Sequence, residues 1–130
     1  MLQREVSDMA ELGYCSLEVH FVNDTGGAFV VSGLTIGPGC TWIANEAPSE
    51  GGTIAPYESA MWGVYSNDAA VSGQVQLSVA GTTRVVLDFS NTASGSSQCT
   101  AGPTDGMQAI VQQITTNEPT HAQFSVQLIP

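Results

Sequence analysis

Apolar and polar residues alternate along most of this chain with a period of two, which is the pattern of strands that bury one face. Alternating or strand-sized apolar runs occupy residues 16–21, 27–36, 40–47, 74–79, 84–89 and 121–128. Clusters of turn-forming residues such as NDTGG, APSEGG and SNTASGSS separate them. Strand-sized runs that recur at intervals of roughly 8–14 residues predict an all-β fold, a single antiparallel β-sandwich.

The first residues follow a different period. Apolar residues recur there at helical spacing, at Leu2, Val6, Met9 and Leu12. Gly13 follows as a natural helix stop. The chain therefore divides into a short amphipathic N-terminal helix, residues 1–13, and a β-sandwich domain, residues 14–130.

Charge narrows the set of binding partners. The chain has 130 residues and a formal net charge of −10, with Arg4 and Arg84 as its cationic side chains and no lysine. Nucleic acids and anionic lipids are bound through cations, so a nucleic-acid partner is excluded and an anionic lipid is disfavoured. A neutral or zwitterionic lipid, a glycan or a protein receptor remains. No signal peptide and no apolar run of about 20 residues is visible, so we expect a soluble chain.

The residues that usually bind metals or perform redox chemistry are scattered. Cys15, Cys40 and Cys99 contain no Cys-x-x-Cys pair, and His20 and His121 lie far apart in the sequence. This spacing predicts neither a metal site nor a cofactor. One disulfide with one free thiol stays open, and the sequence does not select the pair.

One triplet, Asp24-Thr25-Gly26, matches the catalytic triplet of aspartic proteases, in which two such carboxylates share a proton. A chain of this length would need a dimer to supply both. However, the polar Asn23 stands where those enzymes place a large apolar residue. The turn alternative needs only residues that tolerate left-handed backbone, so we expect a hairpin turn here and no enzymatic activity. A dimeric aspartic protease that uses Asp24 is kept as a remote alternative.

Beyond these patterns, the serial order of several segments resembles a known family. The segments are EVHFVNDTGGAFVVSGLTIGPGCTWIANEAPSEGGTIAP, YESAMWGVYSNDAAVSGQVQLSV and VVLDFSNTASGSSQC, within residues 17–98, with a fitting final strand at 121–128. They resemble the aegerolysins, and most closely the small component of the binary insecticidal crystal toxins of Bacillus. The most specific segment runs from Asp88 to Ser96. It departs from the family pattern at Thr92, where proline is usual, and a second departure lies at 69–75.

The resemblance implies a single sandwich of the aegerolysin or actinoporin kind that is not an enzyme. It implies binding to a membrane lipid, glycolipid or receptor, and a larger pore-forming protein as partner. It also implies release from the producing cell and action at a target-cell membrane. A homo-oligomer is a further expectation.

Aromatic side chains concentrate in one part of the sequence. The predicted lipid- or receptor-binding residues are Trp42, Tyr57, Met61, Trp62 and Tyr65. Tryptophan and tyrosine suit a water–lipid boundary because each has an apolar body and a polar tip. The alternative for the two tryptophans is the core of the sandwich.

Two functional hypotheses follow. The first is a toxin-like protein, insecticidal or cytolytic, that binds a membrane or receptor and acts with a larger partner. The second is a carbohydrate-binding or self-assembling sandwich without lytic activity, favoured by the same aromatic residues and by the polar Gln/Ser faces of the strands.

Overall fold

The computed structural model describes residues 14–103, 106–116, 118 and 120–130. The predicted N-terminal helix lies outside the described residues. The strands are β1 Cys15–Asn23, β2 Phe29–Ile36, β3 Cys40–Trp42, β4 Thr53–Ile54, β5 Ser59–Ser66, β6 Ala70–Val79, β7 Thr82–Thr92, β8 Gln98–Pro103, β9 Gln108–Ile114 and β10 His121–Ile129. Within the described part of the chain, no helix has the length and hydropathy needed to cross a bilayer.

The strands form two five-stranded sheets, and the predicted all-β sandwich is confirmed. One sheet, sheet A, has the order β3-β5-β1-β10-β9, and the other, sheet B, has the order β4-β2-β6-β7-β8. The pairing is antiparallel except between β1 and β10, which run parallel with Val19 opposite Phe124. The first and last described strands therefore meet at the centre of sheet A.

The core lies between the sheets and consists of the apolar faces that the alternation predicts. Its largest fully buried side chains include Trp62, Phe21, Leu17, Leu77 and Leu87. The rings of Phe21 and Trp62 stack with their centroids 5.7 Å apart. All four phenylalanines of the chain are buried, because each lies on the inward phase of its strand.

One residue of β6 departs from the predicted alternation. Val75 and Leu77 are buried as expected, but the register between β6 and β7 shifts after Leu77. The shift turns Ser78 inward and leaves Val79 partly exposed. The sequence run does not show this irregularity, because its letters keep alternating through it.

The Asn23-Asp24-Thr25-Gly26 segment is a turn, as predicted, but it does not close a hairpin. β1 lies in sheet A and β2 lies in sheet B, so the segment carries the chain from one layer to the other. The prediction of a hairpin was wrong because β1 pairs with β5 and β10, two strands that are distant from it in sequence, and not with β2.

The segment that carries the most specific part of the resemblance has a structural role. Asn91 is buried, and its Nδ2 donates to the carbonyl oxygen of Ser16, joining sheet B to sheet A at 3.0 Å. Thr92, which stands where proline is usual, donates its backbone N–H to the carbonyl oxygen of Ser96 and accepts from the N–H of Ser96 through Oγ1. Proline could supply neither of these Thr92 groups.

The three cysteines are free. Cys15 and Cys40 each lie opposite Ser66 on the two sides of β5, two strand spacings or about 10 Å apart. A disulfide needs a shorter Cα separation. Cys99 lies in sheet B, where burial, together with the nearby Asp88, raises the pKa of its thiol to about 11.

Candidate binding site

The end of the sandwich at which β1 terminates carries the exposed aromatic side chain of Tyr57. Turn 24–28, residues 47–58 and hairpin 79–82 meet there, and together they are called the Tyr57 end. Its anchor is the buried Asn23. The Nδ2 group of Asn23 donates to the carbonyl oxygens of Gly27, at 2.8 Å, and Ala55, at 3.0 Å. One side chain thus holds the turn and the long connection together.

Asn23 also organises the turn from within. Its Oδ1 accepts from the backbone N–H of Thr25 at 3.1 Å and from the Thr25 hydroxyl at 2.7 Å. Asp24 points outward and accepts from Nε2 of Gln127 at 2.6 Å. The side chains of Asn23 and Thr25 therefore form a buried hydrogen-bonded cluster. Because Asn23 is 0% exposed, it is inaccessible to a glycosylating enzyme in the folded protein.

Tyr57 is held in an unusual backbone conformation at this end. Its φ is +63°, in the left-handed region that costs a non-glycine residue roughly 1 kcal/mol or more. The next residue, Glu58, accepts the backbone N–H of Ala55 through Oε1 at 3.0 Å and so closes the turn. A Cβ added at Gly26 would lie 3.9 Å from the Tyr57 hydroxyl, so the ring reaches turn 24–28. The side chain is nevertheless 71% exposed.

Beside Tyr57 lies a cavity of about 320 Å³ between the open edges of the two sheets. It is called the Trp62 cavity. It is lined by Val31 and Ile54 from sheet B, by Met61 and Trp62 from sheet A, and by the polar residues Ser49, Glu58 and Ser59. Its volume falls within the range of small-molecule sites in proteins.

Trp62, which lines this cavity, carries a buried polar group without a partner. The residue is 1% exposed and stacks on Phe21, so it belongs to the core and cannot insert into a membrane. Its Nε1 atom is buried and has no hydrogen-bond partner among the described residues. Buried tryptophan N–H groups usually have a partner, since an unpaired donor costs about 1–3 kcal/mol. Sequence reasoning identified Trp62 but not this unpaired donor, which only the packing around it reveals.

The five predicted binding residues do not form one surface. Met61 and Tyr65 project from the outer face of sheet A, whereas Trp62 points inward, as the alternation along β5 requires. Trp42 lies opposite Val64 on the inward face and packs against the core. Tyr65 is four residues from Met61, about 13 Å along the strand. Of the five, Tyr57 is exposed at the Tyr57 end, and Met61, which is 42% exposed, lies on the outer face of sheet A.

The Tyr57 end is apolar and acidic. Val30 and Val79 are partly exposed at the same end. The ionisable side chains of its segments include Asp24, Glu50 and Glu58, in a chain of net charge −10. These carboxylates disfavour an anionic ligand, which agrees with the inference from composition.

A hydrogen-bonded row of polar side chains lies on the outer face of sheet A. Nδ1 of His121 is 2.6 Å from Oγ of Ser16, and Nε2 of His121 is 3.0 Å from Oε1 of Glu18. The bond from His121, which outweighs the opposing effect of burial, lowers the pKa of Glu18 to about 2. Ser16 is 2% exposed. Because its hydroxyl is covered, the row ties β1 to β10 rather than presenting a nucleophile to a substrate.

The outer face of sheet B carries a shallow polar recess of about 500 Å³. Gln74 and Asp88 lie in it, and Nε2 of Gln74 donates to Oδ1 of Asp88 at 2.8 Å. Nε2 of Gln76 in turn donates to Oε1 of Gln74 at 3.0 Å. This row of amides and one carboxylate is the second recess that a polar ligand could enter. Within the described residues, no group of three or more His, Cys, Asp or Glu side chains is arranged to hold a metal ion.

The fold and the Tyr57 end together define a β-sandwich with a loop-lined cavity at one open edge. Solved structures of known proteins share this architecture. The crystal structure of the lipid binding protein Nakanori matches with a TM-score of 0.73 and 12% identity, over 99% of this chain and 78% of that one.

Two further solved structures match over most of their length. The RahU protein, crystallised in complex with a TRIS molecule, has a TM-score of 0.69 and 8% identity, over 88% of this chain and 94% of its own. IP-1A from Alcaligenes faecalis has a TM-score of 0.64 and 12% identity, over 91% and 94%. No family model and no curated protein matches the sequence. At these identities the likeness establishes a shared fold.

Proposed function

We propose that this protein is a lipid- or receptor-binding β-sandwich that attaches to membranes of neutral or zwitterionic surface through its Tyr57 end. The observation that carries the proposal is the exposed side chain of Tyr57, a residue at positive φ whose neighbour in the chain, Glu58, lines the Trp62 cavity. A tyrosine side chain has only two torsion angles to order, so it loses little conformational entropy on binding. The shared fold of Nakanori, a lipid binding protein, supports the proposal by analogy.

The finer proposal is a toxin-like role. The resemblance to the small component of the binary insecticidal toxins supports release from the producing cell, action at a target-cell membrane and a larger pore-forming partner. The net charge of −10 supports dependence on a partner, because the chain lacks the cations with which a protein approaches anionic membranes unaided.

Vesicle co-sedimentation tests the binding proposal. We expect the chain to bind at least one of neutral phospholipid, sphingolipid or glycolipid vesicles, or gut-epithelial membranes, and to leave purely anionic vesicles unbound. Dye release from the same vesicles tests the need for a partner. Binding without release is expected from the chain alone. If the chain binds none of these membranes, the binding proposal is contradicted. If the chain alone releases dye from the vesicles, the need for a larger partner is contradicted.

A second candidate function, self-assembly, is favoured by strand β9. This edge strand, with the sequence QAIVQQI, carries no charged residue, and Ile110 and Ile114 are partly exposed on it. Proteins commonly protect such edges with lysine, proline or a bulge. Two copies with a net charge of −10 each repel one another. Pairing through β9 would bring no charged side chains of that strand together, so the repulsion opposes it least there.

Sedimentation velocity over a range of concentrations distinguishes this candidate. If β9 pairs with β9 of a second copy, Ile110→Lys removes a concentration-dependent dimer while leaving the bonds between β9 and β10 in place. Thr41→Lys, on the exposed face of the opposite edge strand β3, is the matched control and leaves the dimer intact. A wild-type protein that stays monomeric at all concentrations would reject self-assembly.

A further inference from the structure

The outer face of strand β9 has a pattern that is symmetric about its Gln112. The alternation along the strand places Ile110, Gln112 and Ile114 on the outer face of sheet A. Ile110 and Ile114 are 43% and 39% exposed. From Gln112, the next residue on this face is an isoleucine in either direction along the strand. A strand with this pattern is complementary to a copy of itself that runs in the opposite direction.

A second copy of the chain is therefore the partner that the pattern fits. Homo-oligomers are most often closed by a two-fold axis, and two edge strands related by an axis perpendicular to their sheet run antiparallel. If this axis passes beside Gln112, Ile110 of each copy lies directly opposite Ile114 of the other. Directly opposite residues share a face, with their Cβ atoms about 4.5–5.5 Å apart, so all four isoleucines become less exposed.

We propose that two copies of this chain pair through β9 in the antiparallel register centred on Gln112, with two Ile110–Ile114 contacts on the outer face of the joined sheet. The inference rests on the proposed self-assembly, and it adds the register and a limit of two copies. Other registers lose these contacts. Centring on Val111 places Ile110 opposite Gln112, and centring on Ile110 places Ile114 opposite a residue outside β9.

The distribution of charge favours this part of the surface. Strand β9 and its neighbour β10 carry no aspartate or glutamate, in a chain of net charge −10. On the next strand, β1, the carboxylate of Glu18 is already bonded to His121. Pairing through β9 thus brings few unpaired carboxylates together, but the two copies still repel as whole molecules. Added salt screens that repulsion and should strengthen the dimer.

The other edge strands of the described structure do not continue the assembly beyond two copies. β3 and β4, at the far ends of the two sheets, have three and two residues, which is too short for this pairing. β8, the edge of sheet B next to β9, has Gln98, Thr100 and Gly102 on its outer face and no isoleucine. It ends at Pro103, which has no N–H to donate.

Single cysteine substitutions read the register directly on the full chain. Gln112→Cys places a thiol opposite the same thiol of the second copy, at a Cα separation of about 4.5–5.5 Å that suits a disulfide. Oxidation with diamide should therefore give a covalent dimer. Ile110→Cys and Val111→Cys should give far less, because neither thiol faces itself. The wild type, treated in the same way, controls for its three native cysteines.

Sedimentation velocity on charged variants provides a second readout that needs no disulfide. Ile114→Lys alters both isoleucine contacts and should weaken dimerisation about tenfold. Gln108→Lys is the matched control, on the same face of the same strand but outside the paired isoleucines. It should weaken dimerisation less than about threefold. A rise in sodium chloride concentration should strengthen the wild-type dimer.

The outcomes separate the register from the self-assembly on which it rests. A wild type that stays monomeric at every concentration rejects both. If a dimer forms but Gln112→Cys does not cross-link, or cross-links less than Ile110→Cys or Val111→Cys, the register is wrong and self-assembly stands. The same follows if Gln108→Lys weakens the dimer as much as Ile114→Lys. Species larger than a dimer would overturn the limit of two copies.

Discussion

Glu18 and His121 bridge the parallel strands β1 and β10, with 3.0 Å between Oε1 of Glu18 and Nε2 of His121. The other ring nitrogen of His121, Nδ1, lies 2.6 Å from Oγ of Ser16. The row therefore fastens the start of β10 to the start of β1. These two strands have no local connection that would hold them in register.

This bond makes stability depend on pH in a defined direction. The pKa of Glu18 falls from an ordinary value of 4.5 to about 2 in the folded protein. Its contribution is therefore fully present above pH 4.5 and is lost as the pH falls through about 2. In urea unfolding, the stability difference between the wild type and Glu18→Gln should be constant above this window and shrink within it. The exposed Glu50→Gln is the control. A wild type–Glu18→Gln difference that does not change with pH would refute the role of this carboxylate.

Asn23 should be among the residues most sensitive to substitution. Asn23→Ala removes the donor to Gly27 and Ala55 and the acceptor for Thr25 in a fully buried position. We expect a loss of about 2–4 kcal/mol in the free energy of unfolding, seen as a lower urea midpoint with an unchanged slope. Asp24→Asn retains an oxygen acceptor for Gln127 and should cost less than about 1 kcal/mol. Equal losses of stability in the two variants would show that the hydrogen bonds of Asn23 are not what holds the turn and the connection together.

Two glycines of sheet B, Gly73 in β6 and Gly102 in β8, should respond differently to alanine. A Cβ at Gly73 would lie 2.5 Å from Cε1 of the buried Phe89 ring, whereas a Cβ at Gly102 would lie 3.9 Å from the Val86 carbonyl oxygen, an ordinary van der Waals contact. Gly73→Ala should therefore destabilise the protein by about 1–3 kcal/mol through overpacking. Gly102→Ala should change the free energy of unfolding by less than about 0.5 kcal/mol. Thermal or urea unfolding of the pair checks this, and a neutral Gly73→Ala would show that Phe89 can move aside.

The strands that the sequence predicts best are those with strict alternation. The runs that became β1, β7 and β10 place their apolar residues in the core as expected. Strand β9 was not predicted, because Ile110 and Ile114 lie on its outer face and interrupt the expected polarity. A local pattern shows which face of a strand is apolar, but it does not show which strand lies next to it. For this reason the sequence predicted neither the crossing of turn 24–28 between the sheets nor the parallel pairing of β1 with β10.

The predicted binding residues were chosen by residue type rather than by position. Tyr57 and Met61 are exposed, whereas Trp62 lies in the core, and Trp42 and Tyr65 lie elsewhere on the sandwich. The alternation along β5 already separates Trp62 from Met61 and Tyr65. The contributions of Glu58 and Ser49 carried no sequence signal, because single acidic and hydroxyl residues in a loop are common. Only the folded connection places them beside Trp62.

The central claim is that the Tyr57 end is the surface that meets the membrane. Tyr14 and Tyr57 are both exposed, at 59% and 71%, and lie beyond opposite ends of β1, about 30 Å apart along the strand. The most direct test measures the affinity of Tyr57→Ser and Tyr14→Ser for the neutral vesicles that the wild type binds. Tyr57→Ser should weaken binding about tenfold, and Tyr14→Ser should change it less than about twofold. Equal affinities of the two variants, or a loss confined to Tyr14→Ser, would contradict the account.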